Sequence, residues 1–447
     1  MVANVRQPAG ALLLGGLVRA RPPRYACGKE GAKTVGKRRV VITGMGVLSP
    51  IGRSVAEVVE SLKSGKSGIR RIEPPKLSGA YPAGVVDGSY LEGFGPIERP
   101  FMERCHELAI VAAAQAIGDA GIETFEGYGP RAGLHYGNVN GGASSVQGWC
   151  EELLINGKQK ARPFTAMTIM SNAGGAQIAI RNKILGPVLT HASACASSGV
   201  AIGEAVRAIA DGYLDVAVAG GAEAPLTDAL VGVFDGTRAL SKLDPEDASK
   251  TCKPFSRDRS GLVLGEGAAF LVLEAEEVAE RRGAKCYGYV LGYGVSCDAS
   301  HIGQPATEGQ IRCLEQALSS AGIQAAEVQY INAHATATRG GDEIEAAAIR
   351  AVFGANEDSA MVSSTKSVHG HLLGATSALE CLITVASINE SLMPASGHIG
   401  AVDEKCNLNH VGETPRKDCV IDRAVSFSCG FGGTNAALVI GSQSSVT

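Results

Sequence analysis

An apolar run, RRVVITGMGVLS at 38–49, opens the regular part of the chain and ends among glycines, which predicts a buried strand. Helical spacing of apolar positions follows at 54–64 and 102–120. Strand-like runs recur at AGLHYGNV (132–139), DVAVAGGAEA (215–224) and AAFLVLEAE (268–276). After Arg282 and Gly283 the alternation starts again: YGYVLGYGVS (287–296), helical spacing at 307–321, VQYINAHA (328–335) and AMVSSTK (360–366). A helical stretch at 374–390, then RAVSFSCGF (423–431) and AALVIGS (436–442), complete it. Strands alternating with helices predict parallel sheets with helices packed on them, and the restart predicts two similar halves. The chain is thus divided into an extension at 1–37 and halves at 38–284 and 285–447.

Composition narrows the classes. At 447 residues, with ample aliphatic side chains, few aromatics and many Gly and Ala, the chain suits helices packed closely on sheets. A net charge of −4 gives no footprint for nucleic acid. No run of some 20 apolar residues offers a membrane span. Twelve cysteines without regular spacing fit a reducing compartment better than a disulfide framework. Residues 1–37 carry several Arg and Lys and a single acidic residue, Glu30, but no serine. That pattern suits an organellar transit peptide, a disordered extension or an early start codon. The expected location is the cytoplasm of a bacterial type of cell, or an organelle matrix if the extension is a transit peptide.

Chemistry gathers at loops that follow strands. HASACASSG (191–199) sets Cys195 between strand-like GPVLTHAS and a helical stretch, among residues small enough to admit a bulky substrate. A helix N-terminus there favours a thiolate and can hold an oxyanion. His334 lies in INAHATATRGGDEIE and His371 in SSTKSVHGHLLGATSALE, each after a strand and before a helix, with Lys366 just upstream of the second. The carboxyl ends of strands are where α/β proteins place their sites. A fourth loop, SFSCGFGGTNAAL, carries glycines at 430, 432 and 433 that permit close approach to a ligand.

These four segments, in this order and spacing, resemble those of the β-ketoacyl-[acyl-carrier-protein] synthases, most of all the elongating synthase II type. KPFSRDRSGLVLGEGAAFLVLE (253–274) and TRALS (237–241) match further family segments. The resemblance spans about residue 38 to 441. It implies a thiolase-like α/β fold, two related halves in a five-layer α-β-α-β-α arrangement, and a dimer. It implies that Cys195 is the acyl-accepting nucleophile and that His334 and His371 stabilise the enolate formed when a malonyl thioester loses carbon dioxide. Backbone N–H groups of Cys195 and Phe431 would form the oxyanion hole, with Phe431 a gate. Lys366 would orient the site, Glu345 and Glu380 would support it, and Thr336 and Thr338 would hydrogen-bond the pantetheine arm. No metal and no cofactor is implied beyond the phosphopantetheine carried by acyl carrier protein.

Three positions depart from the pattern. Cys429 stands where the family loop has a phenylalanine; a thiolase-like base and a smaller residue in a mobile gate are the two readings. Asn140, in GNVNGG, falls where an apolar residue lines the acyl pocket. It points to an acyl chain other than a plain saturated one, to a partner subunit, or to an amide bonded to its own loop. Ala335 replaces the glycine common after the first histidine. Lys63, Lys66, Arg70 and Arg71 form a basic run that reads either as a docking patch for acyl carrier protein or as a solvated face. The leading expectation is a condensing enzyme of fatty-acid elongation. Its rival is a ketosynthase of a polyketide, aryl polyene or other specialised acyl pathway, working as a homodimer or with a related subunit. A non-catalytic partner subunit is argued against by Cys195, His334 and His371 themselves.

Overall fold

The computed structural model describes residues 37–446. The targeting readings of the extension fall on residues outside that range. The main sheet has ten strands. The first half contributes β1 (Val40–Leu48), β2 (Ala132–Gly137), β3 (Val188–His191), β4 (Val216–Glu223) and β5 (Gly267–Ala275). The second contributes β6 (Gly288–Cys297), β7 (Tyr330–Asn332), β8 (Met361–Ser363), β9 (Arg423–Cys429) and β10 (Thr434–Gly441).

The spatial order is β3-β2-β4-β5-β1 in the first half and β8-β7-β9-β10-β6 in the second. Counted within its own half, each set runs third, second, fourth, fifth, first. This repeated order is the internal duplication that the restart at 287 announced, although the two halves share no obvious sequence. They meet edge to edge through one short antiparallel pairing, Val41 with Tyr289 and Ile42 with Gly288. The sheets are mixed, which corrects the expectation of parallel ones. Three strands in each half run parallel, and β5 and β10 pair antiparallel with their neighbours. The reason is visible at the second half's end. Only residues 430–433 separate β9 from β10, far too few for the crossover that parallel pairing requires.

Helices fill three layers. α1 (Arg104–Asp119) and α2 (Ala173–Asn182) cover the first half's outer face, and α4 (Thr307–Ala321) and α5 (Arg339–Phe353) belong to the second half's outer layer. Between them lie α3 (Ser197–Ala210) and α6 (Thr376–Asn389), which pack on each other and on strands of both halves. α6 is buried on every residue from Thr376 to Ile388, as a helix between two sheets must be. Three large apolar clusters match the layering. One surrounds α3 and α6, one lies under α1 and one under α4 and α5. This is the five-layer α-β-α-β-α arrangement of the thiolase-like fold.

The small residues around Cys195 serve this packing as well as substrate access. A Cβ on Gly137 of β2 would lie 2.4 Å from the backbone nitrogen of Ser198, so α3 can press against the sheet only at a glycine. That contact fixes the start of α3, and with it Cys195.

Candidate active site

Cys195 lies between β3 and α3, two residues ahead of the helix. The turn is tight. Ser197 Oγ donates to the Ala194 carbonyl at 2.6 Å and accepts from the Ser193 N–H at 2.8 Å. Ala194 holds a left-handed φ of +50°, a conformation costing an L-residue about 1 kcal/mol or more. The sulfur is nearly buried, at 7% exposure. Burial pushes the thiol up to about 11; the Lys366 charge and the N–H groups of Phe431 and of Cys195 itself oppose this, and the Glu223 carboxyl adds to it. The thiolate expected from the helix N-terminus alone is therefore not the resting state.

The two histidines arrive from the other half. His334 follows β7, where the Glu345 carboxylate on α5 accepts from the N–H groups of His334 and Ala335, both at 2.6 Å. His371 follows the short helix Lys366–His369, and its N–H donates to the Val263 carbonyl at 2.6 Å. The rings meet edge to face with centroids 5.4 Å apart. His371 Nε2 lies 2.9 Å from Cys195 Sγ, and its Nδ1 lies 3.0 Å from Thr376 Oγ1. Burial holds both imidazoles well below the ordinary histidine range, and the Lys366 charge reinforces it. Both are neutral at neutral pH. With hydrogen on Nδ1, directed at Thr376, His371 presents a bare Nε2 to the thiol.

Lys366 is fully buried and ion-paired with Glu380 of α6, which is equally buried. Glu345 is also buried, and burial pushes its carboxyl up to about 8, with Asp342 adding to the effect and Lys366 opposing it. Arg259, from the KPFSRDRSG segment, is buried too and donates to the carbonyls of Thr338 and Arg339 and to Asp403, which fixes the loop after His334.

A cavity of about 910 Å³ runs down to the sulfur. Cys195, His334, His371, Thr336, Thr338, Cys429 and Phe431 all line it. The hydroxyls of Thr336 and Thr338 lie 3.1 Å apart in its wall, and Phe431 stands 52% exposed at the loop between β9 and β10. Cys429 is no ready base, since burial raises its thiol well above the ordinary range and Glu345 adds to that. Lys366 and Glu380 sit behind the wall.

Asn140 lines a separate, largely apolar cavity of about 340 Å³ with Val146, Leu154 and Leu230. Its amide donates to Glu223 Oε1 at 3.3 Å, so its partner is a buried carboxylate rather than its own loop. Glu223 also accepts from the N–H groups of Val139, Asn140 and Gly374, linking this cavity to the loop beside His371. In the basic run, Lys63, Arg70 and Arg71 are each ion-paired with a neighbouring carboxylate, at 2.6–2.7 Å. That favours the solvated-face reading.

Sequence reasoning passed over Thr376 and Glu223. It also missed the left-handed alanine and leucine positions beside the site, Ala194, Ala337 and Leu373, with φ of +50°, +66° and +45°. Non-glycine residues in that conformation leave no mark in a sequence. Glu223 stands in a strand-like run, where an acid reads as an edge residue.

Two family models match the chain: Beta-ketoacyl synthase, N-terminal domain, over residues 37–279, and Beta-ketoacyl synthase, C-terminal domain, over residues 287–400. The 3-oxoacyl-[acyl-carrier-protein] synthase 2 of Staphylococcus aureus (strain COL) is 38% identical over 410 residues, covering 90% of this chain and 98% of that protein. Among solved structures, the ishigamide ketosynthase/chain length factor matches with a TM-score of 0.84 and 32% identity, over 91% of this chain and 100% of that one. A type II polyketide ketosynthase, solved with its acyl-carrier protein and bound to the hexaketide, matches with a TM-score of 0.82 and 28% identity, over 91% and 100%.

Proposed function

This chain belongs to the beta-ketoacyl synthase family, and from that premise we propose that it condenses an acyl group carried on Cys195 with malonyl-[acyl-carrier protein]. The products are 3-oxoacyl-[acyl-carrier protein] and carbon dioxide, in fatty-acid elongation. The observation that carries the reading is the convergence of Cys195, His334 and His371, from two halves of the fold, at the floor of one cavity.

The geometry supports a two-stage reaction. As Cys195 Sγ attacks the acyl thioester carbonyl, its proton passes to His371 Nε2, and the N–H groups of Cys195 and Phe431 face the developing oxyanion. The pantetheine thiolate leaves and takes that proton. Malonyl thioester then enters the same cavity. Its carboxylate departs as carbon dioxide and the electron pair forms an enolate, whose oxygen accepts hydrogen bonds from the two neutral imidazoles. The enolate carbon attacks the acyl-Cys195 carbonyl, the carbon–sulfur bond breaks, and the released Cys195 thiolate takes a proton from solvent. His371 must therefore present a bare Nε2 in the first stage and an Nε2–H in the second. The Thr376 hydroxyl at Nδ1 suits both, because it can accept or donate. Loss of carbon dioxide drives the carbon–carbon bond formation.

The other residues take supporting places. Lys366, held by Glu380, contributes positive field at the site. Glu345 fixes the backbone at His334, and Thr336 and Thr338 offer hydroxyls to the pantetheine amides. Phe431 gates the mouth, and the Asn140 cavity receives the distal acyl chain. The halves are assigned as residues 38–284 and 285–447, a division supported by the limits of the two family models. The partners are acyl carrier protein and a second ketosynthase subunit, either another copy or a related chain. Among the described residues no helix is long and apolar enough to cross a membrane, and the proposed location is the cytoplasm or an organelle matrix.

A second reading, a ketosynthase for a specialised acyl chain, is favoured by the amide of Asn140 in a largely apolar cavity and by the likeness to the ishigamide ketosynthase/chain length factor. One assay separates the two. Purified protein, malonyl-[acyl-carrier protein] and a panel of saturated, unsaturated and aromatic acyl carriers are combined, and carrier products are read by mass. Extension of saturated chains by two carbons supports fatty-acid elongation; extension confined to the others supports the specialised pathway. No product from any carrier would refute both.

A further inference from the structure

We propose that the Cys195–His334–His371 cluster is also a binding site for a thiophilic divalent cation, Zn²⁺ foremost, and that the bound ion reversibly blocks the enzyme. The donor atoms of the three side chains all lie within 4.8 Å of one another. Around a tetrahedral Zn²⁺, with Zn–S about 2.3 Å and Zn–N about 2.0–2.1 Å, neighbouring donors stand roughly 3.3–3.6 Å apart. The His371–Cys195 pair, at 2.9 Å, opens by roughly 0.6 Å, and rotation of the side chains brings His334 in. One thiolate and two imidazoles form a borderline-soft set that suits zinc over magnesium or calcium. The fourth position faces the 910 Å³ cavity, which supplies both the entry path and room for a water ligand.

Two further features fit an ion. A histidine bound to metal is normally held at its other ring nitrogen, and Thr376 Oγ1 already stands 3.0 Å from His371 Nδ1. His334 Nδ1 is buried without a hydrogen-bond partner, so that ring is not tied to a single orientation through it. Lys366, a buried cation beside the site, opposes an ion, and its pair with Glu380 offsets part of that charge. The other buried cluster of this kind, Glu103, Cys105 and His106, is a poorer candidate. Its carboxylate is already occupied by the N–H groups of Cys105 and Ser145.

Binding replaces the Cys195 proton, which is released to solvent, by a sulfur–metal bond. The same sulfur lone pair would otherwise attack the acyl thioester, and the two imidazoles that would polarise malonyl are engaged as ligands. Metal and acyl group thus compete for one sulfur.

The test is direct binding without substrates. Zn²⁺ uptake is measured by equilibrium dialysis, and Co²⁺ replaces it as a spectroscopic probe, for the full chain and for Cys195→Ala, His334→Ala and His371→Ala, each checked for folding by circular dichroism. The expected result is one equivalent lost in Cys195→Ala, with the thiolate-to-cobalt absorption band gone. Affinity should fall by at least about tenfold in each histidine variant. Unchanged stoichiometry in Cys195→Ala, or a cobalt spectrum indifferent to both histidines, overturns the proposal. A further arm rests on the acyl-transfer reading: protein preloaded with an acyl group should fail to take up the ion. Because the dialysis needs no acyl carrier, failure of that reading and failure of the metal site remain distinguishable.

Discussion

Thr376 and Cys195 carry the account's sharpest consequences for single side chains. If the Thr376 hydroxyl lets His371 alternate tautomers, Thr376→Val leaves a buried Nδ1 unpaired, at about 1–3 kcal/mol. Turnover should drop roughly tenfold or more, and Thr376→Ser should restore it. Single-turnover measurements of acyl loading and of malonyl decarboxylation check this, since a merely structural loss would not be rescued by a hydroxyl alone. The Cys195 thiol, pushed up to about 11 by burial, should react with iodoacetamide as its minor thiolate form. The raised value favours the neutral thiol, so alkylation should rise about tenfold per pH unit from neutrality upward. A rate already at plateau near pH 7, read by mass spectrometry, would mean a preformed thiolate. Cys195, His334 and His371 were each legible in the sequence because reactive residue types stood in loops after strands. Thr376 was not, because a threonine opening a helix has an ordinary capping explanation.

The loop between β9 and β10 and the helix α6 show how elements aim these side chains. A Cβ at Gly430 would lie 2.6 Å from the Ser193 carbonyl oxygen and 3.3 Å from the Cys195 nitrogen. Gly430→Ala should therefore push the Phe431 loop off the oxyanion position, costing about 1–3 kcal/mol of strain and most of the activity, while leaving the circular dichroism spectrum unchanged. Lys366 and Glu380 tie the short helix before His371 to α6, both fully buried. Lys366→Ala abandons a buried carboxylate and should destabilise the protein by about 3–5 kcal/mol in urea unfolding, a far larger loss than a surface pair would give. The long elements were readable from periodicity: the stretch at 307–321 is α4 residue for residue. Strand direction was not, because parallel or antiparallel pairing depends on which strands become neighbours. Only the four-residue connection at 430–433 betrayed it.

At the scale of the whole molecule, the duplicated strand order places two loop systems opposite each other, so one half supplies Cys195 and the other the two histidines. The restart near residue 287 disclosed the duplication; the edge pairing of β1 with β6 was invisible, since it rests on two residue pairs. β3 is an edge strand with Val188 and Leu189 exposed, and Ile180 and Leu185 lie exposed nearby. Unpaired backbone beside apolar surface is where a second subunit would add. Leu189→Lys should convert a dimer into monomers in analytical ultracentrifugation; an unchanged mass would remove this edge from the interface.

The central claim, that Cys195 carries the acyl group, is tested most directly by the intact mass of the protein after incubation with acyl carrier protein thioesters. The expected result is a single acyl adduct, mapped to Cys195 by peptide analysis and absent from Cys195→Ala. An adduct that persists in that variant, or that maps to Cys429, would contradict the account.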